Sequence, residues 1–547
     1  MQADLNLIVK GAALMTMGVF ASKILGYFFN IFLARILAPE ELGLFFIATA
    51  VSGLFVMFAN MGIADSLARF VAFYNEKKDA GRVKGSILST LRIHIVSSIV
   101  VGIALFFMSD WIATAFFSKP GLGLLLKILA ITVPVSTIAS DFMMATDGFK
   151  KIQYKIYIRR IIQIVFKLGL LIALYSIGLS LVGAVLALVF SEAIALVFGW
   201  FFLEKKVFSL RSGIKTIFVD RELLGFSMPL LLMGIFSYLL TVFDVILLGF
   251  FAPAYSTGVY GTAVDTAKIG LMPLEILVVL GVPIATSYFA LNKFHEFKKI
   301  YNTLARWILS IVLPLAAIMV LFSEPIQVFL FGKPYANSAI AMSILVLGYL
   351  FYAMTGPAQQ VLIASGRTKL SFYNATIAGI LAVALNIILI PLFMKTGQAY
   401  IGAAISTAVS YTTWGALGII ELYWMFKIQP FTKTYFKAAI AGLVGVGISF
   451  FLATLPLSRA AINAAISGAA GFFGGILPIM GRLIIAAAET GIATGIVAGL
   501  VFIPIYALLF LGLRCFEKED LQVLAAIERK TGIRINWLRN FVKRFVR

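Results

Sequence analysis

Charge is scarce in this chain. Only 13% of its 547 residues are Asp, Glu, Lys or Arg, against roughly a quarter in an ordinary soluble domain. With 61% hydrophobic residues and a mean hydropathy of +1.02, there is too little polar surface to face water, so lipid must be the solvent. Cysteine is almost missing. Cys515 alone excludes an internal disulfide framework and a cysteine metal cluster. Two histidines, His94 and His295, leave little for a metal centre or histidine catalysis. No metal, no organic cofactor and no catalytic residue is expected. The first apolar run reads as a span, because Lys23 and Arg35 stand where a signal segment would carry its apolar core and cleavage site.

What is present is a series of fourteen apolar runs, near 11–34, 42–63, 86–108, 122–146, 157–178, 180–203, 223–251, 257–290, 303–323, 338–364, 371–394, 398–426, 435–456 and 484–513. Each approaches or exceeds the ~20 residues that cross a bilayer as a helix. The expected fold is an all-α polytopic membrane protein. The net charge of +21 points to topology and not to nucleic acid. Even-numbered loops carry 24 Lys and Arg, odd-numbered loops seven, and the tail from Arg514 nine. The positive-inside rule then puts the even loops and both termini in the cytoplasm. The Gly-rich stretch 462–481 reads as a re-entrant or interfacial insert, since five glycines and Pro478 disfavour a continuous helix. The basic tail 534–547 reads as an amphipathic helix on the cytoplasmic membrane surface.

The chain repeats itself. Phe117, Lys119 and Pro120 return as Phe331, Lys333 and Pro334, and Gly148 and Lys151 return as Gly366 and Lys369. "LVGAV" at 181–185 returns as "YIGAA" at 400–404, and "APEELGLF" at 38–45 as "APAYSTGVY" at 252–260. The order and near-constant offset predict two six-helix halves, 1–212 and 213–430, then a final pair within 431–513 and a basic tail, 514–547. Six spans per half make the repeat parallel, an arrangement in which substrate binds between the halves and access alternates.

Charges inside apolar runs are functional candidates, because each costs about 2.5–3.5 kcal/mol at a span centre. Lys23 shares one helix face with Thr16, Tyr27 and Asn30. Lys167 and Arg92 lie in spans 5 and 3. Asp265 and Lys268 are spaced to pair across a turn, and Glu275 returns to nearly the same azimuth beyond Pro273, which is expected to bend the helix. Asp244 stands alone in an apolar run, and Asp141, Glu192 and Glu421 lie in similar surroundings. Asp65 and Arg69 are spaced as an interfacial pair or a cytoplasmic gate. A cationic cleft would suit a phosphate or pyrophosphate. A buried acid could serve as a proton or sodium coupling site.

The segments 34–72, 330–351, 363–369, 385–393, 401–411 and 517–524 ("ARILAPEELGLFF…", "LFGKPYANSAIAMSILVLGYLF", "IASGRTK", "LNIILIPLF", "IGAAISTAVSY" and "EKEDLQVL") resemble the polysaccharide-repeat flippases of the Wzx type. These belong to the multidrug/oligosaccharidyl-lipid/polysaccharide exporter superfamily. Span 1, "SKILGYFFNIFLAR", also resembles lipid II flippases; there the basic residue matched by Lys23 lines the central cavity, while Phe29 and Asn30 replace that family's Arg-Asp pair. The resemblance implies a flippase that carries a lipid-linked oligosaccharide to the outer leaflet of the cell membrane. The expected substrate-binding residues are Lys23, Asn30, Arg92, Lys167 and Lys268, with Asp244, Asp265 and Glu275 as ion-coupling candidates. Membrane lipids and a polysaccharide polymerase or glycosyltransferases are the expected partners. The rival expectations are a multidrug or cation antiporter of the same superfamily and, from another class, a membrane glycosyltransferase or polymerase. The short loops at 110–121 and 324–337 leave the last of these no room for a catalytic domain.

Overall fold

In the computed structural model, residues 23–454, 492–513, 515–531 and 536–544 are described, and all their regular structure is helical. The chain packs as two units. One holds the residues up to Gly261 together with Val383–Ala399; the other holds Thr262–Ala382 and Tyr400–Arg547. The proposed insert at 462–481 lies outside the described residues.

The first unit contains α1 (23–36), α2 (Pro39–Asn60), α3 (Ile63–Glu76), α4 (Ala80–Trp111), α5 (Gly121–Ala130), α6 (Thr132–Gly148), α7 (Gln153–Ile156), α8 (Gln163–Ser176), α9 (Leu181–Phe202), α10 (Asp220–Thr241), α11 (Phe243–Phe251) and most of α12 (Ala254–Ala267). Helix α4 is its hub, packing on α2, α3, α5 and α6. Its sequence explains why. His94, Ser98, Gly102, Leu105 and Ser109 recur at helical spacing and are buried, while Val96, Val100, Ile103, Phe107 and Trp111 on the other side are exposed. Small and polar residues face protein and large apolar ones face outward, the inverse of a water-soluble helix and the arrangement that lipid rewards.

The second unit is built on α14 (Phe294–Leu321), with α13 (Met272–Ala290), α16 (Ser338–Met354) and α20 (Lys433–Thr454) against it. It also includes α15 (Ser323–Phe331), α17 (Ala358–Ala364), the start of α18 (Thr368–Met394), α19 (Ala399–Phe426) and α21 (Ile492–Gly512), which packs on α20. After the last apolar helix come α22 (Lys518–Thr531) and α23 (Asn536–Lys543). Within the basic tail, Val542 of α23 is buried and Lys543 exposed, and Arg539 reaches back 3.3 Å to Glu528 of α22.

The first break between the two units falls at 261/262, whereas the sequence suggests halves that meet at 212/213. Helices α10 and α11 pack on α3 and α2 within the first unit, and α12 meets α2 through glycine. A Cβ on Gly43 would lie 1.8 Å from the Ala254 carbonyl oxygen, and one on Gly258 would lie 2.0 Å from that of Pro39. The two "AP…G" segments therefore sit backbone on backbone, each glycine over the start of the other's helix.

Among the described residues, nine helices are individually long and apolar enough to cross a bilayer, and a tenth if α16 and α17, bent by 43°, form one span. The fourteen runs map less simply onto helices because several are broken. The run 223–251 divides at Val242, whose φ of −138° and ψ of −24° are not helical. The run 257–290 changes to a 3-10 turn over Lys268–Leu271, and Pro273 falls in the first turn of α13, where its missing N–H costs nothing. Between α2 and α3 the chain turns through two left-handed residues, Met61 (φ 50°) and Gly62 (φ 71°).

Candidate functional site

Helices α1 and α8 meet through their aromatic residues. Phe29 is buried, and the Lys167 ammonium sits 3.9 Å above its ring; Phe32, one turn on along α1, packs edge to face on Tyr175 at 6.4 Å. Lys23 lies six residues before Phe29 on α1, about 9 Å along the helix axis at 1.5 Å per residue. Lys23, Asn30 and Lys167 are all half-buried, and each makes further contacts. Two cations predicted separately from spans 1 and 5 thus lie on adjoining helices, one of them over an aromatic face.

The other predicted cations differ. Arg92 is exposed, pairs with Asp220 at the start of α10, and covers the ring of Phe218 at 4.8 Å. A partner 128 residues away, invisible to local spacing, has taken its charge. Lys268 is exposed at the head of its 3-10 turn, and among the described residues it makes no ion pair with Asp265. The α-helical register that would bring these two together ends at Ala267. Asp265 is half-buried with contacts of its own, and Glu275 is exposed in the first turn of α13. These three residues therefore do not form one continuous helix face.

Asp65 and Arg69 are both exposed and do not pair with each other. The Arg69 guanidinium instead lies 4.0 Å over Phe226 of α10. With Phe70, Phe73, Tyr74, Glu222 and Phe226 it lines a cavity of about 500 Å³ between α3 and α10. The Tyr74 hydroxyl donates to Glu222 at 2.6 Å across it.

Asp244 is buried at the break between α10 and α11. Its Oδ1 accepts from the Val245 N–H at 2.8 Å, and its Oδ2 from the Tyr260 hydroxyl of α12. A helix start leaves backbone N–H groups without partners, so this acid meets a local structural need as well as carrying charge.

Three polar clusters were not assembled by sequence reasoning. In a π-helical stretch, Tyr157–Ile162, Arg159 Nη1 donates to both carboxylate oxygens of Glu192 of α9, at 2.8 and 2.9 Å, and Gln163 donates to the same carboxylate at 2.7 Å. His94 meets Asp141, and Arg306 meets Asp520. The acids Glu192 and Asp141 stand out in the sequence; their partners are set by packing and not by spacing.

The profile of the polysaccharide biosynthesis protein family matches residues 8–289. The chain belongs to that family. A second profile, MatE, matches residues 229–388. The chain is 24% identical over 403 residues to the teichuronic acid biosynthesis protein TuaB of Bacillus subtilis, covering 70% of this chain and 79% of that one. To the lipid II flippase MurJ of the same organism it is 20% identical over 493 residues, covering 81% and 88%. Among solved structures, a lipid II flippase MurJ in an inward closed conformation superposes with a TM-score of 0.66 at 16% identity, covering 91% of this chain and 98% of that one. The chain is thus a multi-pass membrane transporter of the multidrug/oligosaccharidyl-lipid/polysaccharide exporter superfamily and not an enzyme.

Proposed function

We propose that this protein is a flippase that moves a lipid-(pyro)phosphate-linked oligosaccharide from the cytoplasmic to the outer leaflet of the cell membrane by alternating access. The observation that carries this reading is the pair of cationic side chains, Lys23 on α1 and Lys167 on α8, on adjoining helices inside apolar spans. Two ammonium groups that are costly to bury suit a polyanionic headgroup that passes through the membrane. The names of the relatives agree with such cargo: one acts in teichuronic acid biosynthesis, another flips lipid II. Asn30 offers the sugar a hydrogen-bonding partner. The lipid tail stays in the bilayer. The fourteen spans, the parallel repeat, both termini in the cytoplasm and a coupling proton or sodium ion belong to the same proposal, with Asp244, Asp265 and Glu275 as candidate acids.

The test is flipping in proteoliposomes. A pyrophosphate-linked oligosaccharide lipid is loaded, and its accessibility to an impermeant sugar-modifying reagent is followed. Wild-type protein is expected to raise accessibility, and Lys23→Ala to lower the rate at least tenfold. A Lys23→Ala protein as fast as wild type would remove the cationic site. The second reading, a cation antiporter, is favoured by the buried carboxylate of Asp244 and by the MatE match. It predicts efflux of a cationic dye that Asp244→Asn abolishes and Lys23→Ala leaves intact.

A further inference from the structure

His94 of α4 and Asp141 of α6 are both completely buried within the apolar helices of the first unit. The imidazole Nδ1 lies 2.7 Å from Asp141 Oδ1, and Nε2 lies 2.8 Å from the Asn60 carbonyl oxygen. A carbonyl can only accept, and so can an ionised carboxylate. A neutral imidazole has one N–H to give. The two contacts together therefore require one proton more than neutral histidine beside ionised aspartate would hold. It sits on Nδ1 or on the carboxyl, and in either position the pair is electrically neutral. The second carboxylate oxygen, Oδ2, is buried with no hydrogen-bond partner.

We propose that His94 and Asp141 form a proton-binding site that couples protonation to the joint between α2 and α3. This rests on the transporter reading above and names a titrating pair for it that the sequence did not bring together. In the loaded state, Nδ1–H donates to Oδ1 and ties α4 to α6, while Nε2–H donates to Asn60 and ties α4 to the end of α2. On release the proton passes to water. His94 keeps its Nε2–H, and the Nδ1 lone pair then faces a bare carboxylate at 2.7 Å. Two acceptors cannot hold that distance, so the contact between α4 and α6 opens. The effect reaches a place able to move. Asn60 is the last residue of α2, before the left-handed Met61 and Gly62, and the carbonyls there have lost their intrahelical partners. Helix α4 satisfies them, with His94 on Asn60 and the Ser97 hydroxyl 2.8 Å from the Ala59 carbonyl.

Other charges around α4 are engaged elsewhere or exposed. On α6, Asp147 pairs with Lys155; on α5, Lys127 pairs with Asp110 of α4 itself. Asp220 of α10 holds Arg92, and Glu222 accepts from Tyr74. On α3, Glu76 pairs with Lys150, while Asp65 and Arg69 are exposed. Glu40 and Glu41 lie in the first turn of α2, at its opposite end from Asn60.

The chain has two histidines, so the test is direct. Protein labelled with 15N-histidine, with exposed His295 replaced by His295→Gln, is titrated by NMR in lipid from pH 5 to 10. The expected result is a His94 ring protonated on both nitrogens at low pH that converts reversibly to the Nε2–H form, and an Asp141→Asn protein whose ring is neutral throughout. A wild-type ring whose spectrum does not change from pH 5 to 10 would make the pair a fixed structural contact and overturn the proposal. In proteoliposomes, the ratio of flipping rates with and without an imposed pH gradient is expected to fall to about one in Asp141→Asn; an undiminished ratio would equally overturn it. If wild-type protein flips nothing, the preceding reading fails, and the titration still decides whether the proton site exists.

Discussion

Replacing Gly43 by valine is expected to force α2 and α12 apart and to reduce flipping at least tenfold. The new Cβ would lie 1.8 Å from the Ala254 carbonyl oxygen and 2.6 Å from its carbon. Both obstructing atoms are backbone, so no rotamer change relieves the contact, and the helices themselves must move. Overpacking of this kind costs typically about 1–3 kcal/mol, and the upper end is expected here. Gly258→Ala strikes the same seam from the other side, with its Cβ 2.0 Å from the Pro39 carbonyl oxygen. Once one substitution has opened the seam, the second meets less resistance, so the double variant should lose less stability than the sum of the two. Thermal unfolding in detergent measures this. A cysteine placed at Ser256, buried beside the seam, should be protected from maleimide in the parent and reactive in Gly43→Val. Continued protection with unchanged flipping would show that the close approach is dispensable.

Arg306→Met is expected to be the most destabilising single change in the second unit, by about 3–5 kcal/mol. Arg306 is 2% exposed on its side chain and Asp520 is fully buried. Asp520 also accepts from the Trp307 indole at 2.8 Å and from the Glu517 N–H at 2.7 Å, while the other end of the Arg306 guanidinium holds Glu517 at 2.7 Å. Thr434 of α20 donates to Glu517 at 2.6 Å, and Lys299 of α14 pairs with Glu519 at 2.9 Å. Helix α22 is thus fastened to α14 and α20 by charge, and methionine would leave a buried carboxylate without its cation. The chain supplies its own reporter. Cys515, the single cysteine, is buried between α21 and α22, and burial pushes its thiol up to about 11 against the nearby Arg306 and Lys437 charges. It should be inert to maleimide at neutral pH in native protein and reactive in Arg306→Met. Adding Asp520→Leu removes the stranded charge and is expected to restore much of the stability. A double variant no better than the single one would show that the helix is held by its apolar contacts instead.

Much of this protein follows from composition and order alone. Scarce charge and long apolar runs specify lipid as the solvent, and lipid admits only helices or closed barrels. Run lengths of 20 residues and more then select helices, and the clustering of Lys and Arg in alternate loops suggests how they are threaded. The "AP…G" segments that repeat in sequence also meet in space, through Gly43 and Gly258. Lys23 and Lys167 could be picked out because a cation in an apolar run needs a reason wherever the helix packs.

Only the tertiary structure decided which charges remain available and which are spent. Arg92 finds Asp220 at a separation of 128 residues, His94 finds Asp141 at 47, and Arg306 finds Asp520 at 214. Arg306, near the start of the run 303–323, is not among the candidates the sequence offers, yet it is the largest fully buried side chain described. Helical periodicity relates residues three or four apart and is silent about partners on other helices. The breaks at Val242 and Lys268 are equally hidden, because an apolar run has the same composition whether its helix continues or turns. Position along a span sets what a buried charge costs; the helix packed against it sets whether that charge is neutralised, and only folding brings the two together.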